Sequence, residues 1–170
     1  MLDTAKKITV YLSGPMYLGR AQATGWRNEI KACFNSWYEE ETAYRGGHSG
    51  WPPPRAFNAN YIYFNVLDPC DRWFGDRASD LSEVGGYIVQ MDKLEVAKSD
   101  VIIVNATDPG WGTPMEQYYA WAETKAMVLA FADKDYPSIW AKAHCHQMFR
   151  THQEAAKFLC SIAYSLARVV

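Results

Sequence analysis

The chain has 170 residues, 49% of them hydrophobic, with 17 Lys and Arg against 19 Asp and Glu for a formal net charge of −2. That length fits one domain with a sizeable core, and the balanced charge gives no reason to expect a nucleic-acid polymer or a membrane surface as partner. No apolar run approaches transmembrane length and the first residues lack a signal-peptide pattern. With Cys33, Cys70, Cys145 and Cys160 scattered and no C-x-x-C pair, the expectation is a cytoplasmic protein with reduced thiols.

Ile8-Thr-Val-Tyr-Leu-Ser13 reads as the first strand, stopped by Gly14-Pro15. A helix is predicted over about Ala23 to Tyr38, where Trp26, Ile30, Phe34 and Trp37 recur along one face. Residues 43–60 break the rhythm, since Gly46-Gly47, Gly50, Trp51 and Pro52-Pro53-Pro54 make an irregular insertion. Ile62 to Leu67 is the second strand, closed by Asp68-Pro69. The next helix has the stripe Leu81, Val84, Ile88 and Met91, with Asp92 on the same side. Val101 to Asn105 and Met127 to Phe131 are the third and fourth strands, and a weaker fifth lies near Cys145 to Phe149. The last helix buries Ala155, Phe158, Leu159, Ile162 and Leu166. Strands alternating with helices predict a single α/β domain over residues 1–170, a three-layer sandwich around a mostly parallel sheet of about five strands.

Two carboxylates stand out. Glu116 follows the third strand and a Pro/Gly loop, at a strand-to-helix junction where open α/β sheets bind ligands. There it is either a nucleophile or a cap. Thr113-Pro-Met-Glu116 fits the T-x-x-E capping box, and the chain repeats that pattern at Thr151-His-Gln-Glu154 with no chemistry in view. Asp92 sits on the apolar side of its helix, which is costly unless it has a partner or faces a cavity; a satisfied core carboxylate and a functional one are both open. His144-Cys145-His146 looks like a ligand cluster, but alternate residues of an extended segment face opposite ways, so no metal is expected.

Three segments together resemble the nucleoside 2-deoxyribosyltransferase family and the related nucleoside 5′-monophosphate N-glycosidases. They are Val10-Tyr-Leu-Ser-Gly-Pro-Met16, Asp92 followed eight residues later by Asp100 opening a strand, and Gly112-Thr-Pro-Met-Glu116. The resemblance implies a flavodoxin-like (Rossmann-like) α/β domain that cleaves the bond between a sugar C1′ and a nucleobase nitrogen, without cofactor or metal. It makes Glu116 the nucleophile, Asp92 the carboxylate that manages the proton of the leaving base, and Tyr11 the residue orienting Glu116. The helix N-terminus would favour ionised Glu116, and the apolar surroundings a partly protonated Asp92.

Candidates for holding the sugar or a 5′-phosphate are the backbone amides of Gly14, with Pro15 and the loop through Arg20 at the first helix, where Arg20 is the nearest cation, and Asn105 at the end of strand three; Gly112 and Thr113 join them from the nucleophile's motif. Six residues before Glu116 the family places a residue for the substrate's 5′ end; that position is Gly110 here, and Asp108 is the nearest carboxylate. Trp51, Trp73 and Trp111 are candidates for stacking on a base. The expected partner is a small nucleoside or nucleotide, and by analogy the chain forms a homo-oligomer. Deoxyribosyl transfer and hydrolysis both fit. The rivals are an enzyme for another N-glycoside (a cytokinin-type nucleotide or NAD) and a nucleotide-binding module without turnover.

Overall fold

The computed structural model describes residues 6–16, 20–46, 62–72, 81–133 and 137–169, with side chains throughout these except at 20–22, 42–46 and 81–84. In chain order they form β1 (Lys6–Ser13), α1 (Arg20–Gly46), β2 (Ile62–Leu67), a single 3-10 turn (Pro69–Asp71), α2 (Leu81–Lys98), β3 (Val101–Asn105), α3 (Gly112–Glu123), β4 (Met127–Phe131), α4 (Ile139–Ala143), β5 (Gln147–Phe149) and α5 (His152–Leu166). The five strands are all parallel, in the order β2-β1-β3-β4-β5. This is the flavodoxin-like order, in which the chain leaves β1 toward one edge and returns on its other side as β3.

Two helices cover each face. Ile8, Val10 and Leu12 of β1 join Trp26, Ile30 and Phe34 of α1 and Ala155, Leu159 and Ala163 of α5 in one core cluster. On the opposite face Tyr11, Ile102, Val104, Val128 and Ala130 pack with Val96 of α2 and Ala120 of α3. The division follows from the two-residue period of a strand, and it puts Tyr11 and Ser13 on the side of α2 and α3. Asp100 locks the start of the sheet: its Oδ2 accepts from Thr9 N at 2.7 Å, and its own backbone bonds Thr9 O and Met127 N.

The first helix runs longer than its apolar stripe implied. It begins at Arg20 and continues to Gly46, because Glu39-Glu40-Glu41 and Ala43 are compatible with a helix once α5 supports it, with Tyr164 donating to Glu41 Oε2 at 2.6 Å. Residues 43–46 of the expected insertion are therefore helical, and the remainder, with Trp51 and the Pro52–Pro54 run, lies outside the described residues. The fifth strand is shorter than expected, three residues from Gln147. No helix among the described residues is long and apolar enough to cross a membrane.

Candidate active site

Four elements bring polar side chains to one place beside the carboxyl ends of β1 and β3. Ser13, the last residue of β1, donates its hydroxyl to Glu116 Oε2 at 2.5 Å. Two residues back on the same face, Tyr11 donates to Asp92 Oδ1 at 3.1 Å. Both β1 residues are completely buried, so each hydroxyl needs a partner. Each finds it in a carboxylate from the next layer.

Glu116 does not act as a cap. α3 starts at Gly112, the residue before it is Trp111 in helical backbone conformation, and no side chain caps the helix. Thr113 is instead buried within the first turn, and the Glu116 carboxylate turns to β1. The second T-x-x-E copy behaves as the pattern predicts: Thr151 Oγ1 accepts from Glu154 N at 3.2 Å and Glu154 Oε2 accepts from Thr151 N at 3.1 Å. The same four-residue pattern thus gives a cap at α5 and an inward carboxylate at α3.

Burial pushes the Glu116 carboxyl up to about 7, helped by the Asp92 charge and opposed by hydrogen bonding from Ser13 and Tyr11 and by the charge of Arg27. This reverses the expectation from the helix terminus. A helix N-terminus contributes about 0.3–1 kcal/mol in favour of an anion, and desolvation outweighs it here. Burial, with the charges of Glu116 and Asp92, also raises the Tyr11 phenol far above its ordinary value, so Tyr11 keeps its proton and remains a donor.

Asp92 is buried on α2, as its place in the apolar stripe implied, but it is not alone there. Arg72, just after the 3-10 turn, places Nη2 on Asp92 Oδ1 and lies 3.4 Å from Glu95 Oε2. Asp92 is therefore held as an acceptor from two sides, by Arg72 and Tyr11.

The β1–α1 junction is built around a second buried cation. Arg27 is fully buried; its guanidinium donates to the carbonyls of Gly14 at 2.9 Å, Pro15 at 3.4 Å and Ala23, and Nε lies 3.1 Å from Asp68. Lys31 completes the neutralisation of Asp68 at 2.7 Å. Gly14 has no room for a side chain, since a Cβ would stand 2.7 Å from Trp26 Cζ2 and 3.0 Å from Asn105 Cβ. Gly14 and Pro15 thus form a tight, buried turn whose carbonyls point to Arg27.

The other sequence candidates are placed as follows. Asn105 ends β3 beside Gly14, and its side chain accepts from Thr107 N at 3.1 Å. Gly112 opens α3 next to the carboxylate, where a Cβ would be 3.9 Å from Glu116 Oε1. Gly110 is half-buried in the preceding loop, and Asp108 is exposed. Arg20 is the first residue of α1, with its side chain outside the described set. Trp111 is 92% exposed, while Trp51 and Trp73 lie outside the described residues. His144 and His146 are used elsewhere, with His144 Nδ1 at Trp140 O and His146 Nδ1 accepting from Val128 N. Sequence reasoning missed Ser13, Arg27 and Arg72. The first was within reach, because a strand that presents Tyr11 to one face must present residue 13 to the same face.

The molecule is a doubly wound parallel α/β domain with a paired-carboxylate cluster at its switch point. Its fold is similar to that of a solved 2-deoxyribosyltransferase from the psychrotolerant bacterium Bacillus psychrosaccharolyticus, described as a biocatalyst for nucleoside synthesis, with a TM-score of 0.53 over 87% of this chain and 90% of that one. Sequence identity is 12%, so the likeness is one of fold. No protein-family model and no curated protein matches the sequence.

Proposed function

We propose that the protein is a member of the nucleoside 2-deoxyribosyltransferase family that cleaves the N-glycosidic bond of a deoxynucleoside or its 5′-monophosphate, and that Glu116 is the nucleophile. The observation that carries this reading is the carboxylate of Glu116, turned away from its capping role and held by Ser13 against the ends of β1 and β3. The fold shared with a 2-deoxyribosyltransferase supports it. A carboxylate oxygen of Glu116 attacks C1′ while the C1′–N bond breaks, giving a glycosyl ester and leaving the bonding pair on the base nitrogen. Attack on C1′ by a second base restores a nucleoside and frees Glu116, and attack by water releases the sugar. Hydrogen bonding from Ser13 orients the nucleophile and moderates its basicity. Asp92 is the second carboxylate of the pair and handles the proton on the departing base, with Tyr11 between the two. The cluster uses no cofactor in this reading.

Transfer is favoured over hydrolysis by the neighbour's activity, and the assay separates them. Purified protein is incubated with each deoxynucleoside and each 5′-monophosphate, with and without a second base, and the products are resolved by HPLC. The expected result is a new nucleoside when the second base is present, lost in Glu116→Ala. Base release that ignores the acceptor would replace transfer by hydrolysis. No turnover on any substrate would overturn the enzyme reading and leave a nucleotide-binding module.

A further inference from the structure

Arg72 belongs to no motif in the sequence, yet the fold goes to some length to hold it. Asp68 fixes the turn before it, accepting from Cys70 N at 2.9 Å while its carboxylate is gripped by Arg27 and Lys31. Arg72 then reaches across to α2, where its side chain is 18% exposed and that of Asp92 is 11% exposed. Its Nη2 serves Asp92, while Nε and Nη1 are buried with no hydrogen-bond partner among the described residues. An arginine whose role was to tie two elements together would use its full fork of donors. Arg72 instead brings a positive charge to one carboxylate at the expense of two unsatisfied donors.

That carboxylate is the one whose charge bears on Glu116. The groups facing Glu116 are Ser13 and Tyr11 from β1, Asp92 from α2 and Arg27 from α1, and Glu95 stands beyond Asp92 on Arg72. The Asp92 charge opposes ionisation of Glu116, and a cation on Asp92 lessens that opposition. Tyr11 does not remove the conflict, because its hydroxyl has one proton for both Asp92, its acceptor at 3.1 Å, and Glu116.

We propose that Arg72 is a positioning residue that counters the Asp92 charge in the unliganded protein, so that Glu116 ionises more readily and is free to act as a nucleophile. This rests on the reading of Glu116 given above, but the electrostatic coupling can be measured without turnover. Arg72→Gln keeps a donor near Asp92 and removes the charge. In the unliganded protein the Glu116 side-chain carbonyl is followed by carbon-13 NMR against pH and assigned by its loss in Glu116→Gln. Arg72→Gln should move the Glu116 midpoint upward by about one pH unit or more, Arg72→Lys should restore most of the shift, and adding Asp92→Asn to Arg72→Gln should cancel it. In an active enzyme the acid limb of the kcat/KM profile moves with it, so that kcat/KM at a pH below the midpoint falls about tenfold while activity returns at alkaline pH.

A midpoint in Arg72→Gln equal to that of the wild type overturns the proposal and leaves Arg72 as packing. If Arg72→Gln fails to fold, the same comparison is made between Arg72→Lys and Arg72→Met, or between the double variant Arg72→Gln/Asp92→Asn and Asp92→Asn alone. In the last pair equal midpoints support the proposal, and an upward shift on losing Arg72 overturns it by showing that Arg72 acts on Glu116 without Asp92. A shifted midpoint in a protein that turns over no nucleoside would support the coupling and refute the proposed reaction.

Discussion

Glu116→Gln should make the folded protein more stable at alkaline pH, and this outcome separates a buried functional carboxylate from a helix cap. The Glu116 carboxyl rises from an ordinary 4.5 to about 7 on folding, chiefly through burial. The native state therefore holds a proton that the unfolded chain releases between those values. Folding stability from this group is complete below pH 4.5 and is lost as pH rises through about 7. At about 1.4 kcal/mol for each tenfold change in proton affinity, the full penalty above that range is about 3 kcal/mol. A glutamine carries no such penalty. Urea unfolding of both proteins should show Glu116→Gln gaining about 2–3 kcal/mol on the wild type between about pH 5 and about pH 8. A capping glutamate behaves the other way, since an anion at a helix N-terminus stabilises when ionised, and the variant would lose up to about 1 kcal/mol at alkaline pH. A difference that is flat with pH, or that turns against Glu116→Gln as pH rises, would refute the assignment of a buried, proton-holding carboxylate. Glu154→Gln, at the formed capping box of α5, is the internal control and should show no gain at alkaline pH.

Two further variants test the turn that carries the site. Gly14→Ala drives a methyl to within 2.7 Å of Trp26 Cζ2 and 3.0 Å of Asn105; it should cost about 1–3 kcal/mol in urea unfolding, with part of the loss recovered by Trp26→Phe, which withdraws the clashing ring. Arg27→Met strips Asp68 of one of its two cations and leaves the Gly14 and Pro15 carbonyls without their donor; a loss of about 3–5 kcal/mol is expected by the same measurement, and adding Asp68→Asn should return some of it.

The sheet was readable because its longer strands are largely apolar runs bounded by residues that stop them. Ile62–Leu67 ends at Asp68-Pro69, Val101–Asn105 begins after Asp100, and Met127–Phe131 gives way to polar residues, so the three strands fall where the sequence put them. α1 outran its prediction because its last turns have no apolar stripe of their own. In the site, Tyr11, Asp92 and Glu116 converge, and each was visible locally as an alternating strand position, an acid within an apolar stripe or an acid at a helix start. Arg27 and Arg72 were not. A buried arginine leaves no periodic trace, since the residue type is ordinarily a solvated one, and only the three-dimensional path brings residue 72 to residue 92. The direction of the Glu116 shift was out of reach for the same reason. The helix terminus at Glu116 is written in the sequence, whereas the burial that overrides it is a property of the fold.

The two faces of β1 explain why chemistry and stability are joined in this protein. Ile8, Val10 and Leu12 build the α1/α5 core, and the alternate residues Tyr11 and Ser13 put hydroxyls into the α2/α3 side, where water does not reach them. Each hydroxyl is satisfied by a carboxylate, and each carboxylate is brought by a different helix. Removing either acid leaves a buried hydroxyl unpaired, at about 1–3 kcal/mol, while keeping both crowds two negative charges into a dry space. Arg72 resolves that conflict for Asp92. Among the described residues Glu116 is compensated by hydroxyls and the more distant Arg27, and it retains the high proton affinity. The carboxylate with the least compensation is the one at the helix start beside Gly112. An oxocarbenium-like centre arriving there would supply the positive charge that the fold withholds.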